Sequence, residues 1–136
     1  MEDVVKFESG FSGFDPDGEF IKVSFSNSAK SEEFRAVWNH TLALIKKYGA
    51  SKWMINEAKL SLMPEDRNWH QNDWFGQSIT IQPLDEKNPR HIALIMSENF
   101  FLEFSTKKFI EATSVPGFIV NVFPSEAEAT NWLSSC

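Results

Sequence analysis

The segment that decides the fold runs from Glu19 to Ala58 and reads EFIKVSFSNSAKSEEFRAVWNHTLALIKKYGASKWMINEA. It opens with β-favouring residues that partly alternate with polar ones, which indicates a strand over residues 19–25. Apolar residues then recur at helical spacing, which predicts a helix over Ser31–Tyr48 with one buried stripe. Two lysines and Gly49 end that helix, and residues 52–58 predict a second, short strand. A strand, a helix and a strand in this order are typical of an α/β protein with parallel strands.

A hairpin is predicted before this unit. Residues Val4–Phe14 predict a single strand. Between it and the strand over residues 19–25 lies Asp15-Pro16-Asp17-Gly18, a turn signal in which proline fixes φ and glycine takes a positive φ. Because the two strands of a hairpin are antiparallel, we expect a mixed sheet.

Strands and helices continue to alternate after this unit. A second helix is predicted to begin at Pro64, because proline fits the first turn and the two acids that follow it suit the positive end of the helix dipole. The later elements are, in chain order, a β-like Ile79–Ile81, a strand over His91–Met96, a helix over Glu98–Ala112, a strand over Gly117–Phe123 and a last helix opened by Ser125. We therefore predict one α/β domain over residues 1–136, with a mixed, mostly parallel sheet of about five strands and about four helices.

The bulk properties exclude several classes of function. The net charge of -6 argues against nucleic acid and against an anionic membrane surface, since both need clustered Lys and Arg. The chain has one cysteine, Cys136, so no disulfide can form within it. We find no signal peptide and no apolar run long enough to span a membrane, and we expect a bacterial cytoplasmic protein. No Gly-rich phosphate loop and no Gly-x-Ser-x-Gly motif is present, so we expect no nucleotide or other cofactor.

Three stretches resemble one known family. They are Ser31-Glu32-Glu33-Phe34-Arg35, then Lys52-Trp53-Met54-Ile55-Asn56 with Pro64-Glu65-Asp66 and Trp69, and finally residues 122–129 with Trp132-Leu133. Together with the element order they resemble the STAS domain, the fold shared by anti-sigma-factor antagonists and the cytoplasmic tails of sulphate transporters. The likeness is to small, stand-alone STAS-like bacterial proteins, and it implies a regulatory module without enzymatic activity.

The resemblance also implies a place for a phosphorylation site. In signalling STAS domains the strand before the second helix ends in an aspartate, closely followed by a phosphorylated serine. Here that strand ends at Asn56-Glu57, and the nearest hydroxyl towards the helix is that of Ser61. Both the acidic residue and the spacing depart from the family pattern. Ser61 is therefore either a phosphosite, where the positive end of the helix would accommodate the new charge, or a loop or capping serine.

The second predicted helix has an unusual composition, with two tryptophans among acidic side chains. On a helix Asp66, His70 and Trp74 are four residues apart and share a face, and Asp73 lies three residues beyond the histidine. A carboxylate and an imidazole on one face could ligate a metal, or Asp66 could orient His70 as an acid/base catalyst. The simpler hypothesis is an ion pair on a solvated surface, with Trp69 and Trp74 as packing residues. No third ligand is near in the sequence, and we assign no metal.

Two functions from different classes fit the sequence. The first is a non-enzymatic STAS-like regulatory or protein-interaction module in bacterial signalling, which binds a protein partner or a second copy of itself. The alternative is a small-molecule-binding protein or an enzyme with a pocket near Trp69, His70 and Trp74, suited to a small apolar ligand. The lack of a catalytic motif favours the first. If His70 is a surface residue, His70→Ala should change the free energy of unfolding by less than about 1 kcal/mol.

Overall fold

The chain forms one mixed sheet with helices on both faces. The structure, a computed structural model, describes residues 1–26, 29–60, 63–96 and 116–136. Over these residues the sheet has six strands whose spatial order is their order in the chain. They are β1 (Glu2–Lys6), β2 (Gly10–Asp15), β3 (Phe20–Phe25), β4 (Lys52–Asn56), β5 (Arg90–Ile95) and β6 (Phe118–Phe123). The pairs β1–β2 and β2–β3 are antiparallel, and the three later pairs are parallel, so the prediction of a mixed α/β sheet is confirmed.

The additional strand comes from a tight turn near the start of the chain. The backbone N–H of Phe7 donates to the carbonyl of Gly10 over 2.7 Å, which folds the expected single strand into β1 and β2. Ser9 fixes this turn to the first helix, because its N–H and its hydroxyl both donate to Glu33 Oε1, over 3.1 and 2.7 Å. A Cβ at Gly10 would lie 2.6 Å from the ring of Phe25, so only glycine fits there. The expectation of one strand over residues 4–14, and of about five strands in all, was wrong for this reason.

The described residues form three helical segments. The first is α1 (Ser31–Tyr48), with the bounds predicted from its periodicity. The second is continuous from residue 64 to residue 81 and consists of α2 (Pro64–Asn68), a π-helical turn (Trp69–Trp74) and α3 (Phe75–Ile81). The third is α4 (Glu126–Ser134), where Ser125 Oγ accepts the N–H of Glu128 as the predicted cap. The helix predicted over Glu98–Ala112 lies outside the described residues.

The β-like stretch Ile79–Ile81 is helical, which corrects the prediction. Its β-branched residues favour a strand locally. The helix nevertheless continues to residue 81. The hydroxyl of Ser78 donates to the carbonyl of Phe75 over 2.7 Å, and the N–H of Gln82 donates to the backbone carbonyl of Ser78 over 2.9 Å. Ser78 is fully buried, so packing overrides the local preference here.

The core has two parts, one on each face of the sheet. The larger part lies between the sheet and the helices α1 and 64–81, and its largest side chains are Phe34, Trp38, Trp53 and Trp74. The smaller part lies under α4 and includes Met54, Ala93 and Leu133. Residues of β4 and β5 therefore alternate between two buried faces, as expected of central parallel strands. No helix among the described residues is long and apolar enough to cross a membrane.

Candidate functional site at the π-helical turn

The predicted site residues lie on the π-helical turn and its flanks. Residues 69–74 adopt the wider π-helical turn, while the residues on either side, Asn68 and Phe75, keep right-handed helical dihedral angles. Such turns are uncommon inside α-helices and occur often at functional sites. The wider turn also changes the spacing of side chains, so positions four residues apart do not simply stack along one face.

Asp66 is tied to α1 and not to His70. The residue is 1% exposed, and its two carboxylate oxygens have separate partners. Ser31 Oγ donates to Oδ2 over 2.5 Å, and Arg35 Nε donates to Oδ1 over 3.1 Å. Lys30, rather than Ser31, is the residue before the first turn of α1, so the expected capping serine serves to hold Asp66 instead. The buried carboxylate is thereby compensated, as a stable fold requires.

His70 lies between aromatic rings. The centre of its ring is 4.0 Å from that of Trp38 and 4.9 Å from that of Trp74, which it stacks against at 23°. Its Nε2 is buried without a hydrogen-bond partner among the described residues. Burial lowers the pKa of His70 to about 4, and the positive charge of Arg67 adds to this effect. The imidazole is therefore neutral near pH 7.

The two tryptophans of the turn have different surroundings. Trp74 is buried, and its Nε1 donates to the carbonyl of Trp38 over 2.6 Å. Trp69 is half-buried, and the guanidinium of Arg35 lies 5.0 Å from the centre of its ring. Asp73 is exposed. We call the side chains that pack around the histidine the aromatic cluster, which consists of Phe34, Trp38, Trp69, His70 and Trp74.

The arrangement differs from an acid/base pair or a metal site. The Asp66 carboxylate is hydrogen-bonded to α1, whereas the His70 ring packs against the rings of Phe34, Trp38 and Trp74. Within the described ranges, no group of three or more His, Cys, Asp or Glu side chains could hold a metal ion. A pocket of about 240 Å³ lies elsewhere, at the amino end of β4. Its lining residues are Phe14, Glu19, Tyr48, Gly49, Ala50, Ser51 and Lys52.

Sequence reasoning missed how α1 holds the site residues, through Ser31 and Arg35 on Asp66 and Trp38 beside His70. Arg35 lies four residues after Ser31, so the two share a face of α1, and that spacing was a usable signal. Trp38 was assigned to the buried stripe, but its Nε1 is buried without a partner in the described part of the chain. An indole N–H in a core usually finds an acceptor, so Trp38 is an unusual core residue.

The place implied for phosphorylation is only partly described. Ser61 lies outside the described residues. The end of β4 before it is described, and the N–H of Glu57 donates to the carbonyl of Ile95 over 2.9 Å. Burial raises the pKa of the Glu57 carboxyl, and the positive charge of Arg67 opposes that shift. The half-buried acidic residue at this strand end therefore keeps its proton to a higher pH than an exposed glutamate does.

Comparison of the chain with protein-family models, with curated proteins and with solved structures found no match. The fold defines the class of the protein as a mixed α/β domain with parallel strands at its centre.

Proposed function

We propose that the protein is a non-enzymatic, STAS-like regulatory or protein-interaction module of bacterial signalling. The observation that supports this most strongly is the outer edge of the sheet at β6. Its sequence, FIVNVF, has no charged residue, and Ile119 is 42% exposed. Among the described residues β5 is the only strand that pairs with β6.

An edge of this kind is suited to binding another chain. In a parallel ladder alternate residues bond to the neighbouring strand, and the N–H of Arg90 donates to the carbonyl of Gly117. By that pattern the backbone groups of residues 118, 120 and 122 point away from β5. Proteins usually protect such an edge with Lys, Pro or a bulge, and an unprotected one pairs readily with a further strand. The chemistry favours an extended apolar segment of a partner, or β6 of a second copy.

The buried polar residues support a role without catalysis. The Asp66 carboxylate accepts hydrogen bonds from Ser31 and Arg35, and the His70 ring is enclosed by aromatic side chains. Both groups therefore stabilise the packing of the helical segment on α1. The STAS resemblance is the other support for this proposal, and it rests on the sequence stretches quoted above; the sheet has one strand more before α1 than that resemblance assumed.

The edge can be tested with one substitution and one matched control. Val120→Pro removes an outward N–H and leaves the bonds to β5 in place, and edge strands tolerate proline. Val120→Ala removes apolar volume and keeps the N–H. We expect the wild type and Val120→Ala to self-associate, or to retain one partner from an extract of the source organism, and Val120→Pro to lose that association. The measurements are light scattering after size-exclusion chromatography and quantitative affinity capture.

Equal behaviour of all three proteins in both measurements would exclude the β6 edge as the interaction surface. Circular dichroism would verify that each variant is folded.

One observation favours the alternative of a small-molecule site near Trp69, His70 and Trp74. His70 Nε2 and Trp38 Nε1 are both buried without partners in the described ranges, and a small ligand could satisfy them. Titration with small aromatic compounds, followed by tryptophan fluorescence, tests this function. A saturable change that His70→Phe abolishes would support it.

A further inference from the structure

Arg90 is a buried cation at the amino end of β5. The residue is 2% exposed. It lies two residues before Ile92, so the two side chains are on the same face of the sheet, and Ile92 belongs to the core beneath α1. Its guanidinium carbon lies 5.5 Å from the centre of the Trp53 ring. None of its three guanidinium nitrogens has a hydrogen-bond partner among the described residues.

This environment is unfavourable for an arginine by itself. A guanidinium stays protonated in proteins, so Arg90 brings a full charge and five N–H donors into the core. Packing against Trp53 compensates only part of the lost hydration. Elsewhere in the described chain, Lys22, Arg35 and Lys47 each have a carboxylate partner. Arg90 differs from these three because it is fully buried and has no carboxylate within the described residues, so an anion would stabilise it.

A second unpartnered atom lies beside the same indole. Gln82 Nε2 and Trp53 Nε1 both donate to the carbonyl of Ala50, each over 3.3 Å. The other end of that amide, Gln82 Oε1, is buried and has no donor in the described part of the chain. Two groups without partners therefore lie beside the Trp53 side chain. The N–H donors of Arg90 lie over its ring, and the acceptor Gln82 Oε1 lies near its Nε1.

The surroundings would strengthen the binding of an anion. Phe118 packs edge-on against Trp53, with 6.2 Å between ring centres, and Phe75 packs against Phe118 at 5.5 Å. In such apolar surroundings the attraction between a guanidinium and an anion is much stronger than in water. A guanidinium fork matches two oxygens attached to one atom, as in a carboxylate or a phosphate.

We propose that Arg90 is the recognition residue of a binding site for a small oxyanion, a free carboxylate or phosphate group held against Trp53 at the amino end of β5. The acceptor on Gln82 favours an anion that also has a hydroxyl, as hydrogen phosphate does. This site is independent of the β6 edge, and either can exist without the other.

Two arginine variants of the full chain test the site. After exhaustive dialysis into chloride buffer at pH 7, thermal unfolding is followed with added sodium phosphate, sodium acetate or sodium chloride at equal ionic strength. A ligand that binds only the folded state raises the midpoint of unfolding in a saturable way. We expect phosphate or acetate, but not chloride, to do so for the wild type, and equilibrium dialysis to give one bound anion per chain.

Arg90→Met should bind the anion about tenfold more weakly or not at all, because a charge-assisted hydrogen bond is worth about 1.5–3 kcal/mol. Without anion this variant should be as stable as the wild type or more so, since it removes an uncompensated buried charge. The control is Arg67→Met, which removes the charge of an exposed arginine and should keep the wild-type response.

Three results would overturn the proposal. The first is a wild-type protein that responds equally to all three salts. The second is loss of the response in Arg67→Met as well. The third is an Arg90→Met protein that is strongly destabilised or unfolded in chloride buffer, because Arg90 would then already have its counter-ion inside the chain.

Discussion

Acidification should destabilise the protein through His70. Its pKa falls from the ordinary 6.5 to about 4 in the folded chain because the ring is buried. In the unfolded chain the imidazole takes up a proton already near pH 6.5. Between these two values the unfolded state binds more protons than the folded state, so stability falls as the pH falls. The contribution of the neutral imidazole is complete above pH 6.5 and is lost towards pH 4.

The size of the effect follows from the shift. A change from 6.5 to about 4 corresponds to about 3 kcal/mol at 1.36 kcal/mol for each pH unit. Although Nε2 is buried, the residue as a whole is only half-buried, and screening by solvent reduces the expected value to about 2 kcal/mol. This is a large fraction of the stability of a domain of this size.

Urea unfolding followed by tryptophan fluorescence at pH values from 4 to 7.5 measures this contribution. His70→Phe keeps an aromatic ring in the cluster and removes the titrating group. We expect the wild type to lose about 2 kcal/mol more than His70→Phe over this range. Carboxylates that titrate at low pH are common to both proteins and cancel in the difference. The control is His91→Gln, since His91 packs against Trp132 of α4 on the other face of the sheet. Parallel pH curves for wild type and His70→Phe would refute the burial of the imidazole.

Four further substitutions test the packing by urea or thermal unfolding. His70→Ala should cost about 2 kcal/mol, more than a surface residue would, because two aromatic contacts are lost. Asp66→Asn should cost about 2 kcal/mol, because the negative charge facing Arg35 and one acceptor oxygen are lost, and a cost near zero would contradict the buried pair. Glu57→Gln should raise the unfolding temperature at pH 7.5, because burial raises the pKa of Glu57 and the ionised form opposes folding; the gain should vanish below the ordinary value of 4.5. Gly117→Ala should cost about 1–2 kcal/mol, since φ is 80° there and a Cβ would lie 2.9 Å from a backbone nitrogen; an unchanged midpoint would exclude that strain.

The sequence was informative where structure depends on neighbouring residues. The bounds of α1 follow from its apolar stripe and from Gly49, which takes φ 59° just after the last turn. The start of the second helix at Pro64 and the cap at Ser125 are likewise local signals. The turn between β1 and β2 was missed because it depends on Glu33, which is 24 residues away from Ser9.

The residues of the candidate site could be predicted only in part, because their partners are also distant in the sequence. Composition drew attention to Asp66 and His70, but the partner of the aspartate, Arg35, is 31 residues away in the chain. Their spacing along one helix suggested that Asp66 and His70 interact. In the structure Asp66 is hydrogen-bonded to Ser31 and Arg35 of α1, whereas His70 packs against Trp38. Arg90 gave no signal, because an arginine at the start of a strand is usually exposed. Its burial follows from the strands and rings around it and not from its neighbours in the sequence.

The order of strands in the sheet has a consequence for how the chain folds. Every strand is hydrogen-bonded to the one that precedes it in the sequence, from β1 to β6. Among the strands that the structure describes, each therefore pairs once the connection from the preceding strand has closed. The entropy of loop closure grows slowly with loop length, and folding is faster when contacts are closer in sequence. This order allows the sheet to grow from its first hairpin in one direction, and along that route the edge at β6 is completed last.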